Sequence, residues 1–259
     1  MFDHLDIVDT RYVDVVQAAI AEGRVLCKVQ GIHSAIDVDS ILYGECFAAL
    51  RGQDGRVYGA CDFIPALETM HEAPLIDQYM LDQVLDRLEH DGNAVLGCNL
   101  SADNFSNQDM WAGVLSQIQT RPQLAERLVL EITETQAFEC LTFSAHAITN
   151  IRSFGCRVAL DDFGAGFASP RLLQLINFDI VKIDKAFIRD IRPSASGSDS
   201  LSHLVGLASS FAPIIVVEGI ETKQQAETAL VAGATHIQGH YLSMPIAYDA
   251  VVRNDVRIA

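Results

Sequence analysis

The sequence is poor in basic residues: 18 lysines and arginines stand against 34 aspartates and glutamates, which leaves a formal net charge of -16 at pH 7. Proteins bind nucleic-acid polymers and anionic membrane surfaces mainly through basic side chains that neutralise phosphates. The deficit therefore argues against DNA, RNA or a membrane as partner. It also means that a phosphate-containing ligand would need cations recruited at its own binding site.

Cysteine pairs with metal-binding or redox spacing are also missing. None of the six cysteines stands in a C-x-x-C motif, and most lie in apolar runs such as VLCKV and VLGCNL, which is typical of reduced core residues. No apolar run approaches the roughly 18 residues of a membrane-spanning helix. The N-terminus, MFDHLDIVDT, is acidic where a secretory signal peptide would be basic. These absences predict a cytoplasmic protein.

Short apolar runs recur along the chain, and each carries a polar residue, which lies near the end of every run except YGECFAAL, where Glu45 lies within it. They are VLCKVQ, YGECFAAL, AVLGCN, LVLEITE, RVALDD, DIVKID, IIVVE and THIQ. Apolar residues between them follow helical spacing, as in 75–88 and 201–208. Strands that alternate with helices predict a largely parallel sheet, and about eight of them favour a closed (β/α)8 barrel of the TIM type. An open doubly wound sheet is the alternative, although no G-x-G-x-x-G turn follows an early strand.

The length of 259 residues and the hydrophobic content of 49% are enough for one large core. We predict a single barrel domain over residues 18–259. A short N-terminal segment or helix, residues 1–17, would precede it.

In a barrel, groups at the carboxyl ends of the strands become neighbours. Here they supply five carboxylates and one amide oxygen: Glu45, Asn99, Glu131, Asp161, Asp162 and Glu218. Five negative charges in one barrel mouth require cations. Because the candidate ligands are all oxygens and no histidine falls on these strand ends, Mg²⁺ or Mn²⁺ is favoured over zinc.

The adjacent aspartates, Asp161 and Asp162, would allow one carboxylate to bridge two ions while the other binds the second ion. Two ions about 3.5 to 4 Å apart can activate a water and stabilise an in-line phosphoryl displacement. Lys182, within the strand DIVKID, could orient that water or neutralise developing charge. Each residue alone has a structural alternative, such as a solvated strand position, a cap or a snorkelling lysine. Their joint placement at strand ends favours phosphodiester hydrolysis.

Taken in order, the strand-end motifs resemble the EAL domain family of cyclic di-GMP phosphodiesterases. The motifs are Glu45, Asn99-Leu100-Ser101, Glu131-Ile132-Thr133-Glu134, Asp161-Asp162-Phe163-Gly164, Lys182-Ile183-Asp184, Glu218-Gly219-Ile220-Glu221 and Gln238-Gly239. The similarity extends from about Ala18 to Pro245. It implies a barrel whose first strand is antiparallel to its neighbour, two Mg²⁺ or Mn²⁺ ions, hydrolysis of cyclic di-GMP to linear pGpG, and a homodimer.

The resemblance also implies roles for single residues. One ion would be held by Glu45, Asn99, Glu131 and Asp161, and the other by Asp161 and Asp162 with help from Glu218. Lys182 would assist the attacking water, with Glu218 a rival candidate for the base. Glu134 would anchor the loop 161–169. Glu221 would complete the catalytic pocket with Gln238, and Gln30 and Gln238 would face the substrate.

One departure concerns the substrate. Ala49 stands where the family has an arginine expected to grip a substrate phosphate, and Arg51 lies two residues further on the same strand face. We expect an active phosphodiesterase with weakened substrate binding. Arg51 is a candidate for a replacement contact, and the alternative is that Arg51 is solvated in the loop after the strand. The alternatives are a catalytically impaired EAL module that acts as a cyclic di-GMP receptor or binds a protein, and a barrel enzyme for another phosphate ester.

Overall fold

A computed structural model describes residues 11–106, 108–133, 141–165, 170–194 and 197–248. Its strands are Val25–Ser34 (β1), Ile41–Arg51 (β2), Val57–Gly59 (β3), Leu96–Leu100 (β4), Leu128–Thr133 (β5), Arg157–Phe163 (β6), Ile180–Ile183 (β7), Ile214–Val217 (β8), His236–Ile237 (β9) and Ile246–Ala247 (β10). Its α-helices are Arg11–Ala21 (α1), Ile64–Thr69 (α2), Ala73–His90 (α3), Gln108–Thr120 (α4), Leu141–Ser153 (α5), Pro170–Leu175 (α6), Ala186–Arg189 (α7), Ser200–Ala208 (α8) and Lys223–Val231 (α9).

Eight strands close into a barrel in the ring order β1, β2, β4, β5, β6, β7, β8 and β9. Neighbours from β2 round to β9 are parallel, whereas β1 is antiparallel to both β2 and β9. Strands β3 and β10 extend the sheet outside this ring by pairing with β2 and β1. The predicted TIM-type barrel with an antiparallel first strand is confirmed, and the open-sheet alternative is wrong.

The helices begin and end where local sequence favours it. Helix α3 carries a proline in its first turn and buries an apolar stripe that runs from Ile76 to Leu88. The side chain of Asp199 caps α8 by accepting from the Ser202 amide. Thr222 and Gln225 form a capping box on α9. None of the helices in the described ranges is long and apolar enough to cross a membrane.

The division of the chain at residues 17 and 18 stays a prediction. Helix α1 runs across that point, and its residues Val16 and Ala19 are both fully buried in the main core. Residues 1–10 lie outside the described part of the chain.

The barrel interior has an apolar bottom level, which we call the floor. It consists of six fully buried residues from six strands: Ile32, Tyr43, Val129, Ala159, Ile180 and Val216. A larger cluster lies between the barrel wall and the helices and includes Cys46, Leu130 and Leu160. Because successive strand residues point to opposite faces, a residue two positions from a floor residue points inward again. The residues two positions from the floor, toward the barrel mouth, therefore also point into the barrel.

Candidate metal centre

Directly above the floor, each barrel strand, or the residue that directly follows it, supplies an inward polar side chain, and we call this level the polar ring. Its members are Gln30, Glu45, Asn99, Glu131, Asp161, Lys182, Glu218 and Gln238. On the six strands that supply the floor, the ring residue lies two positions closer to the barrel mouth than the floor residue. The alternation of each strand therefore aligns eight polar groups at one height.

The ammonium of Lys182 lies at the centre of the ring. Its Nζ is 2.9 Å from Glu45 Oε2, 2.7 Å from Glu131 Oε2, 2.9 Å from Asp161 Oδ1 and 2.8 Å from Glu218 Oε1. Burial by itself would lower the pKa of Lys182, but the four carboxylates outweigh it and raise that pKa well above its usual value. The ammonium is therefore a permanent cation, yet a single one cannot balance the carboxylates around it.

The excess of negative charge is clearest at Glu131, whose side chain is fully buried. Its Oε2 approaches Lys182 Nζ, but neither carboxylate oxygen has a partner with hydrogen-bond geometry in the described residues. Burial, and then repulsion by Glu45, raises the pKa of Glu131 well above its usual value. A buried carboxylate without hydrogen bonds is a group that a bound cation would satisfy.

Gly97 makes room for the Glu131 carboxylate. A Cβ atom at Gly97 would lie 2.2 Å from Glu131 Oε1 and 2.6 Å from Cε2 of the Tyr43 ring. Glycine is thus required at this position of β4 by close approach of two side chains.

A backbone irregularity brings Asp161 and Asp162 together at the end of β6. Asp162 has a φ of 54°, and the pairing register with β7 shifts between Leu160 and Phe163. Regular alternation would turn Asp162 away from its neighbour, whereas this left-handed residue lets both carboxylates reach the barrel mouth. Burial, and then repulsion by Asp161, raises the pKa of Asp162 to about 7.

The carboxylates form two candidate ion-binding groups. One comprises Glu45, Glu131 and Asp161, and the other Asp161, Asp162 and Glu218, with ligand atoms in each group within 4.8 Å of one another. Burial raises the pKa of Glu218 well above its usual value, and Lys182 only partly offsets this. Since Asp161 belongs to both groups and every donor is oxygen, the residues fit a pair of hard divalent cations.

Amide side chains hold Glu45 in place. Asn99 Nδ2 donates to Glu45 Oε1 at 3.0 Å, and Gln238 Nε2 donates to Glu45 Oε2 at 2.8 Å. The Gln238 amide also lies 3.3 Å from Gln30 Oε1, and Gln30 Nε2 donates to the Ser243 carbonyl at 2.7 Å. These amides bridge β1 and β9, which share only the backbone pairs His33 with Ile237 and Ser34 with His236.

Two predicted site residues, Arg51 and Glu221, are not brought to the ring, and a third, Glu134, is not described. Arg51 is exposed at the end of β2, six residues or about 20 Å along the strand from Glu45. The side chain of Glu221 is 49% exposed and forms an ion pair with Arg189. Glu134 and residues 166–169 of the predicted loop lie outside the described residues. The roles expected for all three residues stay predictions.

Sequence reasoning missed Gly97 and the turn at Asp162. A signal for Gly97 was available, because it precedes Asn99 by two positions and so shares its inward face. No pattern in the sequence indicated that Asp162 would adopt a positive φ.

The closed barrel, its one antiparallel strand and its carboxylate-rich mouth place this chain in a class of TIM-type barrel proteins with a candidate metal centre. Within that class, the chain belongs to the EAL family: the family model described as EAL domain matches residues 13–245.

Curated relatives match at low identity. The chain is 27% identical to "Probable cyclic di-GMP phosphodiesterase PdeA" of Escherichia coli (strain K12), over 90% of this chain and 32% of that protein. It is 25% identical to "Cyclic di-GMP phosphodiesterase PdeF" of the same strain, over 79% of this chain and 28% of that protein. The chain thus spans about a third of the length of these relatives.

Solved structures support the fold. "PaMucR Phosphodiesterase, c-di-GMP complex" superposes with a TM-score of 0.80 at 23% identity, covering 93% of this chain and 99% of that chain. "Vibrio cholerae LapD S helix-GGDEF-EAL (apo)" gives a TM-score of 0.82 at 21% identity, covering 93% of this chain and 59% of that chain. At these identities the likeness concerns the barrel alone.

Proposed function

We propose that this chain is a metal-dependent phosphodiesterase that hydrolyses cyclic di-GMP to linear pGpG. The observation that carries the proposal is the pair of carboxylate groups that share Asp161, one of them buried and the other partly buried. Membership of the EAL family supports it. The printed names of the relatives PdeA and PdeF support the choice of substrate.

The metal ligands would divide between the two carboxylate groups. Glu45, Asn99, Glu131 and Asp161 would hold one ion, and Asp161 and Asp162 the other, with help from Glu218. Because Asn99 Nδ2 donates to Glu45, its Oδ1 is the atom able to serve as a ligand. Two Mg²⁺ or Mn²⁺ ions, when bound, would supply an activated water and charge stabilisation for in-line displacement at phosphorus.

Lys182 and Glu218 would share the handling of the attacking water. The raised pKa of Lys182 keeps its ammonium protonated, so this side chain donates hydrogen bonds and does not act as the base. Glu218 has a raised pKa and lies 2.8 Å from Lys182 Nζ, which suits a carboxylate that accepts a proton from water. In this division Lys182 orients the water and Glu218 takes its proton.

Turnover tests the proposal directly. The purified chain is incubated with cyclic di-GMP and Mg²⁺ or Mn²⁺, and pGpG is followed by chromatography. We expect turnover that a chelator abolishes and that Glu45→Gln removes, whereas the exposed control Asp190→Asn keeps it. Ca²⁺ is expected to bind without supporting turnover, because its larger and looser coordination shell positions water poorly. Absence of turnover with both Mg²⁺ and Mn²⁺ would contradict the proposal.

A second candidate is a cyclic di-GMP receptor without hydrolysis. It is favoured by Ala49, which is fully buried on β2 and supplies no cation for a substrate phosphate. Tight binding of cyclic di-GMP without pGpG formation would identify this role. We also propose a cytoplasmic homodimer, and sedimentation of the purified chain tests the dimer.

A further inference from the structure

The wall of the barrel that β1 and β2 form carries a second lysine near the polar ring. In the antiparallel register, Gln30 is opposite Glu45, and Lys28 is opposite Phe47. Directly opposite residues of a sheet share a face, as do residues two apart on one strand. Lys28 therefore lies on the inward face, two cross-strand pairs closer to the barrel mouth than Gln30 and Glu45.

Packing of the flanking residues supports this orientation. Cys27 and Val29, on either side of Lys28, belong to the outer cluster between the barrel wall and the helices. Ile32, four residues further along, belongs to the floor inside the barrel. Lys28 is half-buried, which fits a side chain that leaves the wall at the rim of an open mouth.

The Lys28 ammonium has no anionic partner in the described part of the chain, although the whole chain has a net charge of -16. Lys182, by contrast, contacts four carboxylates. An inward cation that no carboxylate neutralises remains available to an anion entering the mouth. Its neighbours on the inward face, Phe47 and Ala49, carry no charge.

We propose that the Lys28 ammonium binds a phosphate group of the phosphodiester substrate at the rim of the polar ring. This inference rests on the proposed function and adds a substrate-binding residue to it. Lys28 is opposite Phe47, about 7 Å along β2 from Glu45, whereas Arg51 is about 20 Å away along the same strand. Lys28 is therefore the better placed of the two cations.

The test compares Lys28→Met, which keeps the length of the stem, with Lys28→Arg and Arg51→Ala. The matched control is Lys223→Met on the exposed surface of α9, where Lys223 pairs with Glu227. For each protein, KM and kcat for cyclic di-GMP are measured with Mn²⁺, and the Kd is measured by calorimetry with Ca²⁺. Melting temperature and Mn²⁺ affinity without nucleotide are recorded in parallel.

We expect Lys28→Met to raise KM and Kd about ten- to a hundredfold, as the loss of a charge-assisted contact does, with kcat within about twofold. Lys28→Arg should restore most of the affinity, and Lys223→Met should match the wild type. Melting temperature and Mn²⁺ affinity should not change in Lys28→Met, because the Lys28 ammonium forms no ion pair with the described residues.

Two results would overturn the proposal and leave the proposed function intact. One is an active wild type whose KM and Kd do not change in Lys28→Met. The other is a rise in KM confined to Arg51→Ala. A wild type that binds Mn²⁺ but neither binds nor hydrolyses cyclic di-GMP would instead overturn the proposed function, and the role of Lys28 with it.

Discussion

The floor and the polar ring occupy the same strands, two residues apart, and differ in almost every physical respect. The floor consists of apolar side chains, with Tyr43 as its one residue that carries a hydroxyl, and it packs without charge. The ring crowds carboxylates around one ammonium, and neither oxygen of Glu131 has a hydrogen bond among the residues that the structure describes. Regular strands thus support both packing and a candidate centre of reaction. The side chains decide which level does which, except at the end of β6, where the left-handed backbone of Asp162 also contributes.

The largest effect is expected at Asp161, because both carboxylate groups contain it. Asp161→Asn keeps the side-chain volume and removes the charge shared between the ions. We expect turnover to fall at least about a thousandfold, which corresponds to several kcal/mol of lost stabilisation by the ions. Production of pGpG measures it, with Asp190→Asn as control. Activity within tenfold of wild type would show that Asp161 is not a shared ligand.

Gly97 tests how closely floor and ring are fitted to each other. In Gly97→Ala the new Cβ would meet both Tyr43 of the floor and Glu131 of the ring. Displacement of Glu131 should weaken Mn²⁺ binding about a hundredfold, as loss of correct ligand placement does in metal sites. Gly92→Ala is the control, because a Cβ there meets nothing within 4 Å. Electron paramagnetic resonance measures the Mn²⁺ affinity of both variants. Equal affinities would contradict this role of Gly97.

Asp77, a buried carboxylate outside the barrel, can be compared with the carboxylates of the ring. Asp77 on α3 accepts from the Ser101 amide at 2.8 Å and from Asn104 Nδ2 at 2.7 Å. Burial nevertheless raises the pKa of Asp77 to about 7. The folded state therefore favours the protonated acid. Its contribution to stability is complete below the unfolded-state pKa near 4 and is lost as pH rises through 7.

Asp77→Asn removes this titration. As pH rises from 5 to 8, we expect the free energy of unfolding of the wild type to fall by about 2 kcal/mol relative to that of Asp77→Asn. Urea denaturation at several pH values measures the difference, and Mn²⁺ should still stabilise Asp77→Asn but not Glu131→Gln. A difference that does not depend on pH would mean that Asp77 is ionised throughout that range.

The smallest effect is expected from the amides that orient the ring. Gln238→Ala removes one of the donors to Glu45 and opens the contact with Gln30. The loss of one hydrogen bond to a charged group should weaken Mn²⁺ binding about five- to tenfold. Gln224→Ala, on the exposed side of α9, serves as control in the same titration. An unchanged affinity would indicate that Asn99 and Lys182 suffice to hold Glu45.

The fold could be predicted because apolar strands alternate with helical segments along the sequence. The composition of the ring could be predicted because most of these strands end in a polar residue. The polar residue near the end of each apolar run became a ring member, from Gln30 to Gln238. Alternation also puts Arg51 on the strand face of Ala49, and the structure shows that Arg51 is exposed at the end of β2, about 20 Å along the strand from Glu45.

Other features depend on tertiary structure and had no signal of comparable strength. The positive φ of Asp162 arises where the register between β6 and β7 shifts, and regular alternation would have turned this carboxylate outward. For Lys28, alternation gives the face, because Lys28 precedes Gln30 by two positions. Only the register of β1 against β2 shows that it is opposite Phe47.

The number of Mn²⁺ ions bound per chain tests the central claim, that the ring is built for two ions around a shared aspartate. Purified wild type and Asp161→Asn are titrated with Mn²⁺, and free ion is followed by electron paramagnetic resonance. We predict two ions per chain for the wild type and a loss of tight binding in Asp161→Asn. Wild type that binds no ion, or a variant that binds as the wild type does, would contradict the account.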